Sequence, residues 1–213
     1  MMKGCLARTT SPRYTPGMAI PKPTVRFTPA EYYALEEKAE YKSDYYKGEI
    51  FAMAGGTDRH SLIAVNLLGE LRTRLKGRPC AAFDPNLRLK VKATGLRTYP
   101  DVSIYCGERE RDPEDPSGQT FTNPTIVFEI LSPSTEIYDR NVKAPHYRRI
   151  ESLQAHVFVS QDAPRIEVYS RHPNGTWLFT EIEGLDQSME IPAIEVSLPM
   201  IEIYDRVDFA AEM

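Results

Sequence analysis

Two carboxylates and one lysine in the middle of the chain are of the right types to form a metal-dependent site. Glu129 lies inside the apolar run 125–131, where a charge is costly unless it is paired or binds a metal. Asp101 opens another apolar run, and Lys143 follows Glu129 after a turn and a polar segment. Two converging carboxylates repel unless a proton or a cation lies between them, and Mg²⁺ prefers such oxygen ligands. A bound Mg²⁺ would activate water and stabilise charge on a phosphate, and a lysine could orient that water.

The elements that must position these residues follow from the spacing of apolar residues. Thr28 reads as the N-cap of a helix that runs to about Glu40, and further helices are predicted from Arg59 to about Gly77 and over 136–151. A short helix is predicted near 200–204. The predicted strands are a hairpin at 45–54 and single strands at 81–91, 99–106, 125–131, 155–160, 166–170 and 177–183. This order predicts a mixed α/β fold, a sheet flanked by helices with an antiparallel β extension.

Length, composition and net charge limit the number of domains and the classes of partner that the chain can have. The chain has 213 residues, of which 41% are hydrophobic and 26% are charged, so we expect one domain over residues 21–213 and a disordered N-terminal tail over residues 1–20. The net charge of -4 provides no global attraction to nucleic acid, so contact with DNA would need local basic patches. Such patches are present at 72–78, 88–97 and 140–149, although a charged helix surface explains them equally well.

The cysteines and the hydropathy pattern predict a cytoplasmic location. Cys5, Cys80 and Cys106 are odd in number and show no CxxC spacing, which argues against a disulfide framework or a zinc site and for a reducing compartment. No apolar run approaches the roughly 18 residues of a membrane span. The N-terminal residues include basic side chains but no apolar segment typical of a signal peptide.

A longer pattern around the two acids resembles a known family. A Pro-Asp pair followed by an acid in a later strand resembles the PD-(D/E)XK nuclease superfamily. The finer pattern is similar to the Uma family of restriction endonucleases, over roughly Phe27 to Phe209. The matching positions are Phe128 to Thr135, Asp139, Arg140, Lys143, Tyr147, Val157 to Val159, Val168 and Tyr169.

This resemblance implies a restriction-endonuclease-like fold and Mg²⁺-dependent hydrolysis of phosphodiester bonds in DNA, with Mn²⁺ as a substitute cofactor. It implies that Asp101 and Glu129 bind the metal and that Lys143 orients the attacking water. Nucleases of this fold are often homodimers, because cutting both strands favours two sites, so a homodimer is expected here.

The chain departs from the superfamily pattern at two positions. The usual lysine would stand two residues after the acid, where this chain has Leu131, and Lys143 is the natural substitute. Pro145 falls inside the predicted helix 136–151, where an internal proline costs about 3 kcal/mol or more. The helix therefore either begins near Ala144, with Pro145 in its first turn, or is kinked there.

Four further residues are candidates for additional site roles: His60, Glu49, Arg88 and Arg140. Each also has a structural explanation, such as an exposed strand residue for Glu49. Glu129 itself could form a salt bridge with Arg88, Lys90 or Arg140 instead of binding a metal.

Two other functions remain as alternatives to a nuclease. The chain could be a non-catalytic nucleic-acid-binding or interaction module that retains the nuclease fold, and Leu131 and Pro145 favour this alternative. A glycoside hydrolase that uses two carboxylates without metal is disfavoured, because Trp177 is the one tryptophan and few residues could stack on a sugar.

Overall fold

The computed structural model describes residues 25–53 and 55–210; the tail predicted at residues 1–20 lies entirely outside these ranges. The helices are α1 Pro29–Glu36, α2 Asp58–Leu75, α3 Glu136–Tyr138, α4 Ala144–Tyr147 and α5 Met200–Ile203. The strands are β1 Ser43–Tyr46, β2 Glu49–Ala52, β3 Cys80–Phe83, β4 Arg88–Lys90, β5 Arg97–Thr98, β6 Val102–Cys106, β7 Thr120–Phe121, β8 Ile126–Leu131, β9 Ala155–Ser160, β10 Arg165–Arg171, β11 Trp177–Glu183, β12 Ser188–Ile191 and β13 Val196–Pro199.

The strands form two main sheets and a separate β12–β13 hairpin. The larger sheet has the order β11-β10-β9-β8-β6-β3, in which only β8 and β9 run parallel. The smaller sheet has the order β2-β1-β5-β4-β7. The segment from α3 to α4 is the crossover between the parallel strands β8 and β9, as a parallel pair requires. The predicted mixed α/β fold with an antiparallel extension is confirmed.

The central strand β8 is buried on both faces, and its alternation decides where Glu129 points. Ile126, Phe128 and Ile130 belong to the main hydrophobic core, together with Ile63 and other buried residues of α2. The intervening side chains point to the opposite face, since successive residues of a strand alternate. Glu129 therefore turns away from α2 and toward the crossover segment.

The predicted strand 81–91 is wrong as a single element. β3 lies in the large sheet and β4 in the small one. A turn separates them, in which the backbone N–H of Asn86 donates to Oδ1 of Asp84 and the N–H of Leu87 donates to the carbonyl of Asp84. The sequence Asp-Pro-Asn favours a turn, and this turn directs the chain from one sheet to the other.

The predicted helix 136–151 is also wrong as one continuous helix. Between α3 and α4, residues Asp139–Lys143 form a π-helical turn, and the backbone N–H of Ala144 donates to the carbonyl of Asp139. Pro145 then occupies the first turn of α4, where its missing N–H costs little. Of the two outcomes expected for this proline, a fresh helix start at Ala144 is not seen, because Lys143 and Ala144 both have helical dihedral angles; the helix is instead distorted by the π-helical turn just before Pro145.

The prediction that the cysteines form no disulfide framework is wrong for two of the three cysteines. Cys80 and Cys106 stand directly opposite each other in the antiparallel pair β3–β6 and form a disulfide with an S–S distance of 2.01 Å. Their spacing along the chain gave no sign of this, because the pairing depends on strand register. Among the residues described here, none of the helices is both long and apolar enough to span a membrane.

Candidate active site

A cavity of about 230 Å³ lies where the β1–β2 hairpin, the start of α2, the edge of β8 and the π-helical turn meet. Its acidic and basic lining residues are Asp44, His60, Asp101, Glu129, Asp139 and Lys143. The structure therefore brings together the predicted residues Asp101, Glu129, Lys143 and His60. Four carboxyl groups, one lysine ammonium and one imidazole thus share the cavity.

Asp101 lies beside Glu129 because of strand register. Val102 at the start of β6 pairs with Phe128, so Asp101 is next to Glu129 on the neighbouring antiparallel strand. The backbone N–H of Ile130 donates to Oδ2 of Asp101 at 2.7 Å. The two carboxylates are thus on the same side of the sheet, as a shared cation requires.

Glu129 is only 2% exposed, yet its carboxylate has two polar partners. The phenol of Tyr147 donates to Oε1 at 2.5 Å, and Nζ of Lys143 lies 3.3 Å from Oε2. Burial raises the pKa of the Glu129 carboxyl well above its usual range, while the Lys143 ammonium acts in the opposite direction. The partner of Glu129 is therefore Lys143, not the alternatives Arg88, Lys90 or Arg140.

Lys143 is held between two acids of the cavity. Its Nζ lies 3.0 Å from Oδ1 of Asp139 in addition to its contact with Glu129. Burial disfavours the ammonium, but the carboxylates of Glu129, Asp44 and Asp139 outweigh it and hold the pKa of Lys143 well above its usual value. The lysine is therefore charged at neutral pH. Its place in a π-helical turn agrees with the frequent occurrence of such turns at functional sites.

His60 reaches the same acids from the first turn of α2. Thr57 caps this helix by accepting the backbone N–H of His60. Nε2 of His60 lies 3.2 Å from Oδ2 of Asp101. Burial lowers the pKa of His60, but the hydrogen bond and the charge of Asp101 outweigh it, so the net shift is upward. The contact with Asp101 thus favours the protonated form of His60.

The structure does not bring the other three candidates to the cavity. Glu49 is on β2 and faces Arg26, with 3.6 Å between their charged groups. Arg88 is buried among Tyr99, Thr120 and Asp115. Arg140 forms a two-bond contact with Glu167 at 2.6 and 2.7 Å and a further bond with Glu136.

Sequence reasoning missed three residues of the cavity and its wall. Asp44 is on β1, 1% exposed, and its Oδ1 has no hydrogen-bond partner among the described residues. Asp139 precedes Lys143 by one helical turn, a spacing typical of an ion pair, so this contact could have been found in the sequence. Tyr147 is fully buried in the core, and its hydroxyl donates to Glu129.

The donor set fits Mg²⁺ bound mainly by water and substrate. Within the described ranges, no three His, Cys, Asp or Glu side chains converge closely enough to form a ready-made metal site. Mg²⁺ commonly uses one or two carboxylates and completes its shell with water and phosphate oxygens. Asp101 and Glu129 provide two carboxyl groups on one side of the sheet, and Oδ1 of Asp44, which has no hydrogen-bond partner among the described residues, is a further oxygen in the lining. The residues present therefore fit such an ion.

The mixed sheet and its flanking helices define a restriction-endonuclease-like fold. A crystal structure described as "a putative nuclease belonging to DUF820" from Anabaena variabilis matches with a TM-score of 0.68, covering 84% of this chain and 97% of that one. At 21% identity this match establishes the fold alone.

The chain belongs to the Uma2 family, described as "Putative restriction endonuclease", whose profile matches residues 29–200. Two uncharacterized proteins of Synechocystis sp. are similar along almost their whole length. The first, slr1290, is 34% identical over 92% of this chain and 98% of its own length; the second, sll1609, is 31% identical over 84% and 100%. Membership of this family and the fold support a nuclease function.

Proposed function

We propose that the protein is a Mg²⁺-dependent DNA endonuclease that hydrolyses phosphodiester bonds. The observation that carries this proposal is the convergence of Asp101, Glu129 and Lys143 in one cavity. In this proposal Asp101 and Glu129 hold the metal, and Lys143 orients the attacking water.

The roles of the side chains follow from their contacts. The Lys143 ammonium is buried beside Glu129, where it can donate to a water molecule that enters between them. Attack of this water on phosphorus forms a new P–O bond and breaks the bond to the 3′ oxygen. The water proton passes to solvent, the 3′ oxygen takes up a proton and leaves as a hydroxyl, and the other product ends in a 5′ phosphate. Tyr147 holds Glu129 in position through its hydroxyl, and Ile130 holds Asp101 through its backbone N–H. Mg²⁺, or Mn²⁺ in its place, would lower the pKa of bound water and stabilise negative charge on the phosphate.

Supercoiled plasmid DNA provides the direct test. We expect conversion to open-circular or linear DNA with Mg²⁺ or Mn²⁺, no conversion with a chelator, and at least a hundredfold loss in Glu129→Gln. The matched control is Glu49→Gln, which changes a partly exposed acid outside the cavity and should leave the rate unchanged. Cleavage that survives in Glu129→Gln would contradict the proposal.

One observation favours the second candidate, a non-catalytic nucleic-acid-binding module. Leu131 occupies the usual lysine position, and Lys143 is already bound to Glu129 and Asp139. Calorimetry with Mn²⁺ separates the candidates: the nuclease proposal requires binding by the wild type and loss of binding in Asp101→Ala. DNA binding without any Mn²⁺ binding would favour the module.

We also propose that the protein forms a homodimer. The edge strand β11 carries the exposed apolar side chains Leu178 and Phe179, and among the described strands only β10 pairs with it, which leaves its outer edge for a second copy. Light scattering should give twice the chain mass of 24.2 kDa. A mass that stays at that of one chain at high protein concentration would contradict this assignment.

A further inference from the structure

An aromatic residue stands at the mouth of the cavity, opposite one of its acids. In the β1–β2 hairpin, Phe51 is the direct cross-strand partner of Asp44, so both side chains point to the same face. Both line the cavity, but Asp44 is buried whereas Phe51 is 40% exposed. The hairpin wall thus leads from a carboxylate inside to an accessible phenyl ring at the entrance.

The groups assigned to the reaction lie deep in this cavity. Lys143 is 5% exposed, almost as enclosed as Glu129. A phosphate can meet them only by entering a space of about 230 Å³. A phosphate of a continuous duplex is tied to its stacked and paired neighbours, and moving a base out of the stack costs a few kcal/mol. An unpaired strand bends at no such cost.

The charges around the cavity also argue against a long duplex footprint. Binding along a duplex depends on many Lys and Arg contacts to phosphates. Within the described residues that line this cavity, Lys143 is the one Lys or Arg, and it is engaged by Glu129 and Asp139. The hairpin side of the lining instead offers Phe51, Ala52 and Met53. Aromatic stacking is how proteins bind unpaired bases without sequence preference.

We propose that the substrate of this site is unpaired DNA, a single strand or a single-stranded arm, and that a base beside the scissile phosphate stacks on Phe51. This inference rests on the proposed nuclease function and names its substrate class. In this proposal Phe51 selects and binds the unpaired strand. Asp101, Glu129 and Lys143 carry out the hydrolysis of the phosphodiester bond.

The test compares one DNA sequence in three forms with Mg²⁺ or Mn²⁺: single strand, blunt duplex, and duplex with a single-stranded arm. We expect the wild type to cut the single strand and the arm at least tenfold faster than the duplex. Phe51→Ala should lower kcat/KM on the single strand roughly tenfold or more, because one stacked base is lost, and Phe51→Trp should restore it. The control is Tyr41→Ala, which removes a 68% exposed aromatic side chain that does not line the cavity, and should leave the rates unchanged.

A binding measurement keeps this inference separate from the nuclease proposal. A single strand with 2-aminopurine is added in Ca²⁺, and its fluorescence should be quenched by the wild type and by Tyr41→Ala but not by Phe51→Ala. Faster cutting of blunt duplex, unchanged in Phe51→Ala, would overturn the inference and leave the nuclease proposal intact. Absence of cleavage of every form would contradict the nuclease proposal, while quenching that requires Phe51 would still support the stacking site. Absence of quenching would overturn the stacking site as well.

Discussion

Asp101 and Ile130 are joined across neighbouring strands by a 2.7 Å hydrogen bond from the Ile130 backbone N–H to Oδ2 of Asp101. Asp101→Asn keeps an acceptor for this N–H but removes the charge. We expect the free energy of unfolding of this variant to lie within about 1 kcal/mol of the wild-type value. Its affinity for Mn²⁺ should be at least tenfold lower. Asp101→Ala leaves the N–H without its acceptor and should cost about 1–3 kcal/mol in addition. Urea unfolding and calorimetry measure the two effects; equal Mn²⁺ affinity in Asp101→Asn would contradict the ligand assignment.

Lys143 is the counter-charge for the buried carboxylates of Glu129 and Asp139. Lys143→Met should lower the free energy of unfolding by about 3–5 kcal/mol, since removing one partner leaves buried charge uncompensated. Mn²⁺ should recover more stability in this variant than in the wild type, because the cation can replace the missing charge. The control is Lys92→Met, which breaks an exposed contact with Glu110 and should change stability by no more than about 1 kcal/mol. Thermal unfolding with and without Mn²⁺ gives both values, and equal stabilisation of the two proteins would contradict this expectation.

Tyr147 binds Oε1 of Glu129 from inside the core. Tyr147→Phe removes only the hydroxyl, so we expect a loss of about 1–2 kcal/mol in unfolding free energy. Because Glu129 then loses one of its two fixed contacts, cleavage should fall roughly tenfold, with a smaller change in KM than in kcat. Steady-state kinetics on an oligonucleotide would decide this, and an unchanged kcat would show that the hydroxyl has only a structural role.

Metal binding should release protons. Burial raises the pKa of Glu129 and of Asp44, so in the metal-free protein these carboxyls keep their protons to a higher pH than ordinary carboxyls do. A cation needs ionised carboxylates, so the Mn²⁺ affinity should rise with pH, by up to tenfold per pH unit for each proton released. Calorimetry in two buffers of different ionisation enthalpy counts these protons. A binding enthalpy that is identical in both buffers would show that no proton is released.

His156 should make the fold sensitive to acid. Burial, with a smaller contribution from the Arg148 cation, lowers the pKa of His156 to about 3, against about 6.5 in the unfolded chain. Between these values the unfolded chain binds the proton and the folded protein does not, so stability is present above pH 6.5 and falls as the pH decreases. The expected loss between pH 7.5 and pH 5 is about 2 kcal/mol.

The matched variant is His156→Phe, which keeps an aromatic ring beside Tyr169, where the rings now stack at 4.5 Å, but cannot titrate. Urea unfolding at several pH values, followed by the single tryptophan, should give a shallower pH dependence in this variant. Identical slopes in the two proteins would assign the acid sensitivity to other groups.

The parts of the fold that the sequence predicts are those set by local signals. Thr28 and Glu31 form the capping box that begins α1, and the turn at Lys47 and Gly48 joins β1 to β2. The strand predicted at 177–183 matches the bounds of β11. In each case the decisive chemistry lies within a few residues, so no knowledge of distant contacts was needed.

The sequence-based predictions are wrong or incomplete where contacts between residues far apart in the chain determine the structure. Cys80 meets Cys106 only because β3 and β6 pair in one register. Asp44 precedes two tyrosines in a hairpin and gives no sign of burial, since its environment comes from packing between two sheets. Glu129 was identifiable because an acid inside an apolar strand conflicts with its surroundings, and such conflicts mark functional sites.

Cleavage of a labelled oligonucleotide shows whether Asp101 and Glu129 share one catalytic cation. The wild type, Glu129→Gln and Glu49→Gln are compared with Mg²⁺, with Mn²⁺ and with a chelator. We expect metal-dependent products ending in a 5′ phosphate for the wild type and Glu49→Gln, and at least a hundredfold loss for Glu129→Gln. Equal cleavage by Glu129→Gln, or cleavage that persists in the chelator, would contradict the shared cation.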